Sequence, residues 1–181
     1  MIPHKSASQA VDVLKQGGLI IYPTEGIYGI GCDALNEKSV QNVFNVKYRN
    51  NEKSFIVLCS EVVHISKLIS DDYVQDKKLS EKEFITWIVP ISKNCPQWLT
   101  KNNKIAIRLT DHPVIKELCT GIDGPIISTS ANISGKKYIN NIDIISELFT
   151  DEVECIVEGN LGGEAKSSSI IDIATGHILR K

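Results

Sequence analysis

A basic pair and a row of small hydrogen-bonding side chains, far apart in the chain, are the residues best able to do chemistry. Lys47 and Arg49, in the run KYR, stand where an apolar helical pattern ends. Downstream, PIISTSANISG at 125–135 follows an apolar pair with the hydroxyls of Ser128, Thr129, Ser130 and Ser134 and the carboxamide of Asn132. Two cations neutralise a polyphosphate or a carboxylate, while hydroxyls and backbone N–H groups fix its orientation. Each half also has a local explanation. A basic pair suits the C-terminal dipole of a helix, and Ser128, Ser130 and Asn132 suit an Asx- or ST-turn after a strand. In order, with YPTEGIYGIGCD at 22–33 before them, the segments point to one shared ligand. Alternation along a strand puts Ser128 and Ser130 on one side, which can face that ligand.

Arg108 is the other informative cation. It stands among Ile105, Ile107 and Leu109, where an unpaired guanidinium would be costly. It is either half of a structural ion pair or a planar fork for a ligand carboxylate, and the second reading is preferred. Thr24, after Pro23, is a turn hydroxyl or a ligand contact. Tyr28 sits in a Gly-flanked loop, as a core residue or a pocket wall. Asp33 is the carboxylate nearest the motifs and reads as a turn residue. No Ser-His-Asp or Cys-His arrangement is evident.

The elements that must position these residues are legible in the apolar pattern. Ala7, Ala10, Val11 and Leu14 recur at helical spacing, with Ser6 as N-cap and Gly17 and Gly18 as the stop. Residues 19–22 form a buried strand ended by Pro23. Asn36 caps a second helix carrying Val40, Val43 and Phe44, with Lys47 near its end. Residues 55–59 are a strand, followed by a short helix through Val62, Ile65, Leu68 and Ile69. Residues 71–83 are polar and read as a loop or weak helix. Further strands are expected at 84–89, 105–109, 126–128, 155–157 and 169–173. Helices are expected from Pro113, a favoured first residue, and over 142–149. Strands interleaved with short helices predict one α/β domain spanning 1–181. Tight connections between 89 and 105 and between 173 and 178 predict a mixed rather than parallel sheet.

With 42% apolar and 23% charged residues, the 181-residue chain has the composition of a soluble globular domain. No apolar run reaches the roughly 20 residues of a membrane span, and the N-terminus lacks the apolar core of a signal peptide. Five scattered cysteines without a CxxC pair read as reduced thiols, so a cytoplasmic protein is expected. Their spacing, and that of the four histidines, argues against a metal site. The net charge of −2 excludes retention on nucleic acid by the global field, so any RNA contact is expected to be local and weak.

At these residues the chain resembles the YrdC-type family, the threonylcarbamoyl-AMP synthases, over about 11–180. The matching segments stand in order: YPTEGIYGIGCDA at 22–34, KYR at 47–49, the strand at 55–59, AIRLTDHP at 106–113, STSANISG at 128–135 and GNLGGEAKSSSIID at 159–172, before Arg180. The resemblance implies a twisted α/β sheet flanked by helices around a deep basic cleft. It implies conversion of L-threonine, bicarbonate and ATP to threonylcarbamoyl-AMP and pyrophosphate. ATP would bring Mg2+, and a partner transferase complex would pass the threonylcarbamoyl group to tRNA. Lys47 and Arg49 would hold the ATP phosphates, with Ser130, Asn132 and Arg180 as further nucleotide contacts. Thr24, Tyr28, Arg108, Ser128 and Ser168 would surround L-threonine. No protein nucleophile is implied, because the substrate amine and the carbamate oxygen do the attacking, leaving proximity and electrostatics to the protein.

The chain resembles the short form of the family, without an extra C-terminal domain. It departs from the usual pattern at Gly26 (usually Thr or Ser), Asn50 (usually Pro), Ser54 (often Pro or Gly) and before Thr86, where Pro-Gly-Pro is missing. These changes fall in loops around the cleft and are expected to alter loop geometry and rate more than chemistry. Two other readings compete. One is an RNA-binding or ribosome-maturation factor using the same cleft. The other is a carbamoyl-transfer module like those of hydrogenase-maturation proteins, which carry cysteine pairs that this chain lacks.

Overall fold

Apolar residues alternate along almost every central strand, and the alternation sorts the core into two faces of one sheet. The computed structural model describes residues 1–48, 55–164 and 166–181. Its strands are β1 (His4–Lys5), β2 (Ile20–Pro23), β3 (Tyr28–Gly31), β4 (Ile56–Cys59), β5 (Ile85–Pro90), β6 (Lys104–Leu109), β7 (Ile126–Ser130), β8 (Cys155–Val157), β9 (Ser169–Asp172) and β10 (Ile178–Arg180). They run side by side as β1-β8-β2-β3-β7-β4-β6-β5-β9-β10. Parallel pairs (β4 with β6, β5 with β9) and antiparallel pairs (β3 and β4 with β7, β5 with β6) occur together, so the sheet is mixed as expected.

The main helices are α1 (Ala7–Lys15), α2 (Glu37–Val46), α5 (Pro113–Ile122) and α6 (Ile142–Leu148); α3 (Asp71–Val74) and α4 (Lys77–Ser80) are single turns. Ser6 closes a capping box with Gln9 at the start of α1, and the Asn36 side chain accepts from Ser39 N–H at the start of α2. On one face of the sheet, Ile20, Tyr22, Leu58, Ile126, Cys155 and Val157 pack under α1 and α5. Their sequence neighbours Ile21, Val57, Cys59, Ile127 and Ile156 point to the other face, beneath Val40, Val43 and Phe44 of α2.

The helix pair α1/α5 covers only part of its face. Ile56 pairs with both Ser128 and Ala106, and Leu58 pairs with Arg108. Ser128 and Arg108 therefore continue the face that Leu58 and Ile126 bury under the helices, out to where no helix covers it. That bare area positions the site.

Three local differences from the sequence reading have physical causes. Tyr28–Gly31 is a strand rather than a loop; Gly29 and Gly31 hide it, since glycine weakens strand propensity. Gly31 is needed there, because a Cβ would lie 1.8 Å from the Ile127 carbonyl oxygen. The segment after β4 makes one 3-10 turn, Val62–His64, in place of a short helix. The polar stretch 71–83 forms α3 and α4, each too short to show a helical period.

Replacing Gly31 with Ala should force β3 from β7 and cost about 2–3 kcal/mol, as overpacking does, measured by urea unfolding. Gly124→Ala, whose added methyl meets nothing closer than 3.8 Å, is the control and should unfold like the parent.

Candidate functional site

A cavity of about 760 Å³ lies on the bare part of the sheet, within the range of small-ligand sites. Ile56, Ser128, Ser130, Arg108 and Ile170 are among its lining residues. Among the described lining residues five are cationic (Lys47, Lys101, Arg108, Lys166 and Arg180) and none is acidic.

At one end, α2 delivers Lys47 as its C-cap, and Tyr48 follows with φ 49°. A lysine at a helix end ordinarily projects into solvent. Lys47 instead turns inward and is 2% exposed. Its Nζ donates to the Ser130 carbonyl, to the Asn132 carbonyl at 2.6 Å and to Asn132 Oδ1 at 3.5 Å. Burial of the ammonium accounts for the difference, since an amine out of water must find oxygen acceptors. Ser130 Oγ donates to Asn132 Oδ1 at 2.6 Å, and Asn132 Nδ2 donates to the Lys136 carbonyl at 2.6 Å. The two sequence motifs thus meet in space, with Lys47 as the clasp. Arg49 lies outside the described residues.

At the other end, Arg108 in β6 is 5% exposed. Its Nη2 donates to Glu25 Oε2 at 2.9 Å, its guanidinium lies 5.0 Å from the Phe84 ring centre, and its buried Nε has no hydrogen-bond partner among the described residues. Burial pulls its pKa down and Glu25 opposes that shift. Both readings of Arg108 therefore hold in part: it has an ion pair, and it faces the cavity. Arg180 on β10 donates from Nε and Nη2 to the Ser168 carbonyl at 2.9 and 2.7 Å. Burial, then the like charge of Arg108, lowers the Arg180 pKa. Ser168 is fully buried, with its Oγ 2.7 Å from that of Thr86.

Asp172 supports the turn between β9 and β10. Its Oδ1 accepts from Ala174 and Thr175 N–H groups in the β9–β10 turn, and its other oxygen pairs with Lys104, which holds its carboxyl below the usual carboxylate range.

Thr24 also lines the cavity, but its hydroxyl closes a turn, donating to the Ile27 carbonyl at 2.7 Å. Tyr28 is a correction. It is absent from the lining and packs against the core behind α2. Tyr138 takes the wall position instead, its hydroxyl accepting from Tyr28 N–H at 2.8 Å. Nothing near residue 138 marked it in the sequence. Glu25, by contrast, stood within the YPTEGIYGIGCD run and had no role assigned. Asp33 behaves as expected of a turn residue, its carboxylate accepting from Leu35 N–H at 2.8 Å.

The departure at Gly26 has a local reason. Residues 162–164 and 166 lie along the 24–27 turn: Gly162 N–H donates to the Thr24 carbonyl at 3.0 Å and Glu164 N–H to the Glu25 carbonyl at 2.8 Å. A Cβ on Gly26 would come within 2.2 Å of the Lys166 carbonyl oxygen. Glycine lets this late segment close against the turn.

The five cysteines are free and buried. Burial raises all their pKa values, with Cys119 pushed up to about 12 and Cys95 and Cys155 to about 11, which leaves no thiolate nucleophile at neutral pH. Among the described residues no cluster of three or more His, Cys, Asp or Glu could hold a metal ion.

Lys47→Met keeps the length of the side chain and removes its donors, leaving the Ser130 and Asn132 carbonyls without the ammonium. It should lower unfolding stability by about 1–3 kcal/mol as well as weaken anion binding. Urea unfolding and titration with inorganic pyrophosphate check the two effects; unchanged stability would mean that Lys47 is no clasp.

The comparisons agree with this architecture. A family model for Sua5/YciO/YrdC, described as "Telomere recombination", matches residues 12–181. The threonylcarbamoyl-AMP synthase of Pseudoalteromonas translucida is 36% identical over 186 residues, covering 99% of this chain and 100% of that protein. That of Coxiella burnetii strain RSA 493 is 39% identical over 183 residues, covering 97% of each. The crystal structure of P. abyssi Sua5 complexed with L-threonine superimposes with a TM-score of 0.82 at 25% identity, covering 98% of this chain and 56% of that one. E. coli YciO shares the fold, with a TM-score of 0.81 at 22% identity over 100% of this chain and 94% of its own. The chain belongs to the Sua5/YciO/YrdC family.

Proposed function

We propose that the protein is an L-threonylcarbamoyladenylate synthase, forming threonylcarbamoyl-AMP and pyrophosphate from L-threonine, bicarbonate and ATP. The carrying observation is one cavity with an oxygen-clasped lysine and the Ser130–Asn132 segment at one end and a buried guanidinium at the other. Ser130 and Arg108 lie two residues to opposite sides of the row joining Ser128, Ile56 and Ala106. They are thus about 13 Å apart along the strand direction, which gives an amino-acid carboxylate and a triphosphate separate anchors. The names of the relatives, and the L-threonine in the Sua5 structure, support the same reading.

In this reading the threonine carboxylate rests on Arg108, with Thr24, Ser128 and Ser168 around the side chain. The amine takes up CO2 derived from bicarbonate, and a carbamate oxygen attacks the α-phosphate of ATP. The bond from that phosphorus to the bridging oxygen breaks, and pyrophosphate leaves. Lys47, Arg49, Ser130 and Asn132 hold the triphosphate and offset the charge that builds on the leaving group, and Arg180, at the Arg108 end, contacts the AMP portion of the nucleotide. The cavity lining offers hydroxyls, amides and cations rather than carboxylates. Mg2+ therefore enters as part of the substrate, bound to the ATP phosphates, and needs few protein ligands.

The product is an activated acyl phosphate and calls for a transferase complex that moves the threonylcarbamoyl group to tRNA. Direct RNA contact would be weak and the setting cytoplasmic. Among the described residues no helix is long and apolar enough to cross a membrane.

Pyrophosphate release from purified protein tests the reading. Release should require ATP, L-threonine and bicarbonate together. Valine, which lacks the hydroxyl, should be turned over much more slowly, because it leaves polar groups of the site unpaired. Release without threonine, or none with all three substrates, would contradict it; RNA binding without turnover would favour the RNA-factor reading instead.

Arg108→Lys keeps the charge and loses the planar fork. It should raise the KM for L-threonine by about tenfold, the loss of one charge-assisted contact, and leave that for ATP nearly unchanged. Paired titrations check it: an equal loss for ATP would make Arg108 a nucleotide residue.

A further inference from the structure

Lys101 is a cavity-lining cation with no role in the account above, and its placement is tightly specified. Lys101 and Lys104 are paired as an isolated bridge, with N–H groups donating to each other's carbonyl oxygens at 2.9 and 3.0 Å. Between them Asn102 and Asn103 have φ of 53° and 57°. Two central residues in the left-handed region are the signature of a type I′ hairpin, whose twist matches that of its strands, and asparagine adopts that region more readily than most side chains. Ile91 N–H donates to the Asn103 carbonyl at 3.2 Å, which ties the turn to the end of β5. The hairpin is therefore a short, rigid arm carrying Lys101.

The level of the arm identifies its end of the cavity. Lys104 pairs with Pro90 of β5 on one side, so its bridge to Lys101 lies on the other side, toward β4 and β7. Lys104 is two residues before Ala106, and Ser130 is two residues beyond Ser128, both in the same direction along the sheet. Lys101 and Lys104 thus stand level with Ser130, at the Lys47 end and four residues from Arg108. Lys104 is neutralised by Asp172 and is absent from the lining, whereas Lys101 lines the cavity. Lys101 thus extends the line of β4 beyond its first residue, about one strand spacing from the Ser130–Asn132 segment.

We propose that Lys101 binds the β- and γ-phosphates of ATP from the wall opposite Lys47, and stays on the pyrophosphate as it leaves. The proposal rests on the synthase reading for the identity of the polyphosphate. A cation on a rigid arm suits a group that must be held while its charge rises and then released to solvent. The arm lies at the wrong end of the cavity for the amino acid, and beyond the α-phosphate that the carbamate attacks.

Calorimetric titration of the full chain and its Lys101→Ala variant with ATP, inorganic pyrophosphate, AMP and L-threonine tests this. Loss of one charge-assisted contact should weaken ATP and pyrophosphate by about tenfold, with AMP and L-threonine unchanged and Lys101→Arg restoring most of the loss. A general distortion of the cleft would weaken all four ligands, so uniform weakening overturns the proposal. So does unchanged pyrophosphate binding in Lys101→Ala. If the parent protein itself binds neither ATP nor pyrophosphate, the synthase reading fails; a parent that binds both while the variant binds them equally well leaves that reading standing and removes Lys101 from it. Should Lys101→Ala fold poorly, Lys101→Gln, which preserves the hairpin backbone and most of the side-chain length, gives the same comparison.

Discussion

The sheet has more area than its helices can cover, and the site depends on that shortfall. Packing α1 against α5 buries Leu58, Ile126, Tyr22 and their neighbours on one face. The same face continues across β4, β6 and β7 without a helix above it. Strict alternation then has a second consequence: the residues that follow Leu58 and Ile126 in register are Arg108, Ile56 and Ser128, and they form a floor instead of a core. A one-residue slip of β7 would bury Ser128 and Ser130 on the α2 side and turn Ile127 into the cavity. Gly31 guards against that slip, because its missing Cβ is filled by the Ile127 carbonyl.

Cations on such a floor need oxygen partners, and for three of them the partner also fixes the direction. Lys47 is held by Asn132 and Ser130, Arg180 by the Ser168 carbonyl, and Arg108 by Glu25. The partners are mostly backbone carbonyls, which hold a cation without cancelling its charge. Positive charge is thereby set in place before any ligand arrives, the arrangement that makes electrostatic stabilisation effective. The cost is the depressed pKa of Arg108 and Arg180, both lowered chiefly by burial. An arginine stays protonated under such a shift. Packing of residues 162–164 and 166 against the 24–27 turn closes the wall, and Gly26 permits it.

Much of this could be read from the chain alone, and the failures have a pattern. Apolar runs at 19–22, 55–59 and 105–109 gave themselves away as strands, and Ser6 and Asn36 as helix caps. Lys47 and the STSAN segment could be grouped from the sequence, and they meet in space although they stand 83 positions apart. What stayed hidden depends on pairing partners that sequence does not display. Tyr28–Gly31 is a strand only because β2 and β7 flank it. Lys47 turns inward only because carbonyls of a distant loop lie above it. Tyr138 reaches the cavity by way of Tyr28, in a loop with no periodic pattern. The two-residue Asn102–Asn103 turn was not singled out in the sequence, and its importance comes from where the arm ends.

The central claim is that two anchors at opposite ends of one cavity hold a triphosphate and an amino acid for reaction between them. A crystal structure of the protein with a non-hydrolysable ATP analogue and L-threonine tests it most directly. The account predicts the triphosphate between the Lys47 clasp and the Ser130–Asn132 segment, the threonine carboxylate on Arg108, and the amine facing the α-phosphate. A triphosphate on Arg108, or a nucleotide bound away from this cavity, would contradict it.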